Sequence, residues 1–174
     1  MIRWWLLAED PRHERLALAI ARRFGLKSEP VKAMICPAGS ESAFTWVLKN
    51  FPERVRNTVR RRPTERVALV VMIDGDNQGV RERKRQLAAE LAAAGETPRT
   101  AAEAIVLLVP TWSVETWLLR AADESQSFKN QLRHSDDVKA TYESVATVLR
   151  EGPAPRVPPS LDDAADELKR LPEP

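Results

Sequence analysis

The chain has 174 residues, 43% hydrophobic and 30% charged, with a net charge of +2, which suits a single globular domain with one core. No apolar run approaches the roughly 20 residues needed to cross a bilayer, so a membrane protein is not expected and the cytoplasm is the default location. Cys36 is the sole cysteine, which excludes an intramolecular disulfide and a cysteine-built metal site, and His13 and His134 are too few and too scattered to suggest zinc.

In chain order, Trp4 to Ala8 reads as a short apolar strand that meets Glu9-Asp10 too soon for a signal peptide. Asp10 and Pro11 then suit the N-cap and first turn of a helix running to about Phe24, stopped by Gly25. Val31 to Cys36 reads as a second strand. A long helical region is expected from Ser40 to about Arg61, with Pro52 expected to kink or split it. Val67 to Ile73 is an unbroken Val- and Ile-rich run, the pattern of a strand buried on both faces. A turn, Asp74-Gly75-Asp76-Asn77-Gln78-Gly79, leads into a helix from Val80 to about Ala94. Ala104 to Val109 is a fourth strand, and Val114 to Ala122 a helix with Ser113 as its cap.

This alternation implies an α/β fold, a mostly parallel sheet of four or slightly more strands with helices on both faces. Residues 1–122 would form that domain. Residues 123–174 would be a helical extension packed on it: a polar stretch to Asp137, a helix from Val138 to Arg150, a proline-rich linker, and a last helix capped by Ser160 and reaching Leu171.

Ligands of parallel α/β sheets bind at the carboxyl ends of the strands. Glu9 and Asp10 end the first strand, Asp74 and Asp76 the third, and Glu115 stands one turn beyond the fourth. Three or more carboxylates with open positions suit Mg²⁺ or Mn²⁺, hard cations that prefer oxygen. Asp10 reads as a helix cap rather than a ligand, and Glu115 as either a ligand or a first-turn acid. Gly79 supplies a tight turn or a close approach to phosphate. Between Arg54 and Arg66, six arginines (54, 56, 60, 61, 62 and 66) stand against Glu65, a block suited to phosphates or simply to a solvated helix end. Trp112 and Trp117 are candidates for base stacking or for the core.

The segment from Asp74 to Arg83 resembles the DxDxxG motif of the Toprim domain, with Arg83 four residues beyond Gly79. Glu9, at the end of the first strand, is similar to that family's Glu. Val114-Glu115-Thr116-Trp117-Leu118-Leu119 resembles a segment of small bacterial Toprim-like proteins, often found near defence or mobile-element genes. The chain departs from the family after Glu9: Asp10-Pro11 replaces the usual Gly, and His13 stands where a further acid is usual.

The resemblance covers about Ile2 to Ala122 and implies metal-dependent phosphodiester chemistry on DNA or RNA. Asp74 and Asp76 would hold Mg²⁺, joined by Glu9 and Glu115, and Glu9 would act as general acid or base. Arg54, Arg56, Arg60, Arg61, Arg62 and Arg83 would hold the nucleic-acid backbone. Such nucleases often work beside a separately encoded ATPase, and a homo-oligomer is compatible. The alternative is a non-catalytic Toprim-like interaction subunit of a larger complex.

Overall fold

The structure, a computed structural model, describes residues 2–25, 31–39, 42–119, 124–127, 132, 139–151 and 158–171. Four strands, β1 (Arg3–Ala8), β2 (Val31–Ile35), β3 (Val67–Met72) and β4 (Ile105–Leu108), form one sheet in the order β2-β1-β3-β4. All three pairings are parallel, with Ala8 level with Ile35 and Met72, and Met72 level with Leu108. The expected α/β class and four-stranded parallel sheet are thus present.

Side chains alternate across a strand, and the two resulting faces carry separate cores. Trp4, Leu6, Ala68, Val70, Met72, Val106 and Leu108 pack against α1 (Pro11–Arg23), α4 (Val114–Leu118), α5 (Lys139–Glu151) and α6 (Pro159–Leu168). On the other face, Leu7, Leu69, Val71, Ile105 and Leu107 pack against α2 (Ala43–Arg61) and α3 (Gly79–Ala93). β3 is buried at every position, as its unbroken apolar run requires.

α1 begins where expected: Asp10 is the N-cap, its side chain accepting from the backbone N–H of Arg12 and His13, with Pro11 in the first turn. α2 meets expectation in extent. It is one continuous helix capped by Ser42, and of the two effects expected of Pro52, splitting is absent. The proline removes one backbone hydrogen bond, but Val47, Phe51 and Val55 are buried along the same side of the helix, and that burial outweighs the loss.

The last helix differs from expectation. Pro158, not Ser160, occupies the N-cap of α6, because the Ser160 hydroxyl is already engaged by Trp117 Nε1 at 2.7 Å and by Glu124. The helix ends at Leu168 rather than Leu171. Tyr142, Val145, Ala146 and Leu149 of α5 are buried in the first core, as their spacing predicts. Ser40, His134, Pro153, Pro155 and most of the polar stretch before α5 lie outside the described residues. Among the described residues no helix is long and apolar enough to cross a membrane.

Candidate functional site

The register of the sheet brings the first acids together. Ala8 is level with Met72, so the next residues, Glu9 and Ile73-Asp74, leave neighbouring strands side by side at the carboxyl edge. β1 then turns directly into α1, whose buried stripe includes Leu16, Ala17 and Ile20. His13, three and four residues before Leu16 and Ala17, shares that stripe and is fully buried.

His13 sits between two carboxylates. Its Nε2 is hydrogen-bonded to Asp74 Oδ1 at 3.0 Å, and its Nδ1 lies 2.9 Å from Asp10 Oδ1. Burial opposes charge on the imidazole, but Asp74 and Asp10 outweigh it and hold its pKa well above the usual value. These carboxylates favour the protonated imidazole, with Nε2 hydrogen-bonded to Asp74 and Nδ1 close to Asp10 but outside hydrogen-bond geometry. Burial likewise disfavours charge on Asp10, yet the close approach and charge of His13, with the α1 backbone N–H groups, pull its carboxyl below the ordinary range.

Asp74 is 5% exposed. The same Oδ1 that meets His13 also accepts the Val114 backbone N–H at 3.0 Å, so Asp74 bonds the first turn of α4. Ser113, the expected cap, makes no side-chain cap bond.

Glu9 is the acid whose protonation is most perturbed. Burial raises its pKa first; His13 opposes this, and repulsion from Asp74 and Asp76 adds to it, leaving the carboxyl at about 7. Its Oε1 is buried without a hydrogen-bond partner. A carboxyl poised near neutrality beside two other acids has the protonation behaviour of a general acid or base.

The turn after β3 is fixed by backbone bonds. Gly75 N–H donates to Pro110 O at 2.9 Å and Asp76 N–H to Trp112 O at 2.7 Å. A Cβ on Gly75 would stand 2.0 Å from the Thr111 carbonyl oxygen. Asp76 itself has φ 47, a left-handed backbone that Asp tolerates better than most residues. This re-aims its side chain toward α3, where Arg83 Nη2 donates to Oδ2 at 2.9 Å. Arg83 is 8% exposed, and its guanidinium lies 3.8 Å over the Phe44 ring. Gly79, with φ +74, provides the positive-φ turn into α3, and open space surrounds it.

The other expected site residues are placed differently. Glu115 is buried but ion-paired with Arg12, which also donates to Leu132 O at 3.0 Å. The arginine block at the end of α2 lies at the opposite edge of the sheet: Arg66 O accepts from Arg3 N at the start of β1. From Arg66 to Asp74 the extended chain covers roughly 26 Å at about 3.3 Å per residue. Of the expected backbone-holding arginines, Arg83 alone contacts an acid of the cluster among the described residues; Arg56 pairs with Glu96 and Arg61 with Glu65, while Arg60 and Arg62 are exposed. Trp117 belongs to the core, and Trp112 Nε1 donates to Glu124 O at 2.8 Å.

His13 and Gly75 were not legible as site residues by residue type alone. The signal for His13 is its helical register with Leu16, Ala17 and Ile20. Gly75 carries only the general signal of a glycine in a turn.

Comparison with protein-family models, curated proteins and solved structures gives no match to this chain. Among the described residues no group of three or more His, Cys, Asp or Glu side chains stands at metal-ligating geometry. The donors themselves suit a hard divalent cation: Glu9, Asp74 and Asp76 offer only carboxylate oxygens, Glu9 Oε1 is unsatisfied, and burial, with a smaller contribution from Asp74 and Asp76, raises Glu9.

Proposed function

We propose that the acid edge performs metal-dependent phosphodiester chemistry on nucleic acid, as a Toprim-type nuclease. The observation that carries this reading is Glu9, half-buried at the strand ends beside Asp74 and Asp76, with its Oε1 buried and unpartnered and its pKa raised to about 7. The resemblance of the Asp74–Arg83 segment to the Toprim motif supports it. Asp74, Asp76 and Glu9 would hold Mg²⁺ or Mn²⁺. When bound, such an ion supplies Lewis-acid stabilisation of charge on phosphoryl oxygens.

The chain's own groups do the rest. Glu9 takes a proton from the attacking water or gives one to the leaving hydroxyl. His13 fixes Asp74 from beneath, and Arg83 holds Asp76 while bringing a positive charge to where phosphate arrives. The Arg54–Arg66 block, at the far edge, is not part of this site.

A second reading has its own observation. Asp74, Asp76 and Glu115 are each already partnered within the chain, by His13, Arg83 and Arg12. An edge neutralised internally suits a non-catalytic interaction subunit.

Thermal unfolding across a Mg²⁺ and Mn²⁺ titration, paired with cleavage assays on plasmid, single-stranded DNA and RNA, separates the two. The nuclease reading predicts stabilisation of about 2.7 kcal/mol at a hundredfold excess over Kd, lost in Asp76→Asn, and cleavage lost in Glu9→Gln. A wild-type protein that neither gains stability nor cleaves any substrate leaves the interaction subunit.

A further inference from the structure

α2 covers the middle of the sheet, packing on β1 and β3, while on the edge strand β2 Met34 is only partly buried and Lys32 is exposed. Where the helix stops short of the edge, a groove remains. In the parallel register Trp5 is level with Lys32, and Leu7 with Met34, so Lys32 and Met34 emerge on the same face as Trp5. The groove has a volume of about 110 Å³, and its lining includes Trp5, Lys32, Met34, Arg54, Asn57 and Arg61.

Three cations thus converge on a floor made by Trp5 and Met34. Arg61 lies 5.3 Å over the Trp5 ring. Arg54 Nε is buried without a hydrogen-bond partner, and the acid paired with Arg54 among the described residues, Glu53, is 3.7 Å away and largely exposed. Glu53 also accepts from Asn57 Nδ2 at 3.3 Å, and Arg61 pairs with Glu65 at 3.3 Å on the protein surface. Lys32 is exposed and forms no ion pair among the described residues. Such exposed pairs are weak and readily exchanged for a stronger anion. Lys32 lies roughly 13 Å along the strands from the level of Glu9, at about 3.3 Å per residue.

We propose that this groove is a phosphoryl-binding site, separate from the acid edge, with Lys32, Arg54 and Arg61 as its cations and Asn57 beside them. Three converging cations match a dianionic phosphoryl group, or successive phosphates of one strand, better than a single carboxylate. An arginine with an unsatisfied N–H suits the acceptor oxygens of phosphate. The phosphoryl group comes from a free nucleotide or from a single-stranded nucleic acid. The inference does not rest on catalysis at Glu9.

The test is fluorescence anisotropy of the full chain with a labelled oligothymidylate, from 50 to 200 mM salt, with inorganic phosphate and AMP as competitors. Direct calorimetry with AMP accompanies it. Wild type binds one or both probes. Lys32→Glu and Arg54→Gln each weaken binding at least tenfold, whereas Arg81→Ala, which removes an exposed charge on α3, changes it less than twofold. Lys32 is a surface residue, so Lys32→Glu keeps the wild-type melting temperature, and its loss of binding is not a loss of fold.

If the site takes a strand, log K falls with log salt at a slope of about −2, as expected near 0.7 per contacted phosphate for three contacts, and millimolar phosphate displaces little of it. If it takes a free nucleotide, AMP binds directly and phosphate displaces it. No binding of either probe, or equal losses in Lys32→Glu and Arg81→Ala, overturns the proposal. Cleavage lost in Glu9→Gln with groove binding intact reports on the acid edge alone.

Discussion

Gly75 and Gly79 flank the same turn and are held to glycine by different forces. At Gly75 the restriction is steric: a Cβ would meet the Thr111 carbonyl oxygen at 2.0 Å and that of Pro110 at 2.5 Å. Both belong to the backbone that follows β4, and neither can swing aside without breaking the bonds from Gly75 and Asp76 that hold the turn. At Gly79 space is open, and the restriction is the positive φ alone. Gly75→Ala should therefore cost about 3 kcal/mol or more, and Gly79→Ala about 1–2 kcal/mol. Urea unfolding of the two variants measures the difference, and equal costs would mean that the segment after β4 yields. Because that close approach aims Asp76 at Arg83, Gly75→Ala should also weaken any metal response at the acid edge.

Among the elements, α6 packs Leu161, Ala164 and Leu168 into the core and is tied by one polar side chain to both α3 and β4. Glu167 accepts from Lys84 of α3 at 3.0 Å, from Arg99 at 3.0 Å and from the Leu107 backbone N–H of β4 at 3.2 Å. Burial alone would raise its carboxyl; the hydrogen bonds and charges of Arg99 and Lys84 outweigh that and hold it at about 2. With the folded pKa below the unfolded value, this stabilisation is present above about pH 4.5 and is lost as pH falls toward 2. The shift corresponds to roughly 3 kcal/mol. Glu167→Gln should thus be destabilised by about that much at pH 7, with the gap to wild type narrowing between pH 4.5 and pH 3 in urea unfolding. Little in the sequence marks Glu167 among its acidic neighbours, because Arg170 is a near partner of ordinary helical spacing while Lys84, Arg99 and Leu107 lie 60 or more positions away. Elements built on local pattern were legible: the apolar run of β3, the Asp10-Pro11 start of α1, the stripe of α5. Pro52 does not split α2 because its local penalty is set against tertiary burial, and Ser160 does not cap α6, its hydroxyl being engaged by a buried indole. The acid edge was legible as residues, since strand order alone brings Glu9 to Asp74. Its charge balance was not, because Arg12, His13 and Arg83 are assigned to their acids only by the fold.

At the scale of the molecule, the sheet divides two cores that are not equally local. The face toward α2 and α3 is covered by helices lying between β2 and β4 in the chain. The opposite face takes Tyr142, Val145, Leu149, Leu161 and Leu168 from the end of the chain. That core is therefore shared between α1 and α4 and residues of the expected extension. A chain ending at Leu119 should keep its four strands but leave Val70, Met72, Val106 and Leu108 without their α5 and α6 cover. We expect it to lose cooperative thermal unfolding and to bind a hydrophobic dye; a sharp transition near the full-length temperature would show that the sheet does not need them.

The late arrival of that cover has a consequence during synthesis. Chains emerge from the ribosome at roughly 5–20 residues per second, so for several seconds after β4 has been made, that side of the sheet carries α1 but still lacks α5 and α6. The newborn protein is most vulnerable to sticking to its neighbours in that interval, which makes it a natural client for chaperones until α5 and α6 arrive.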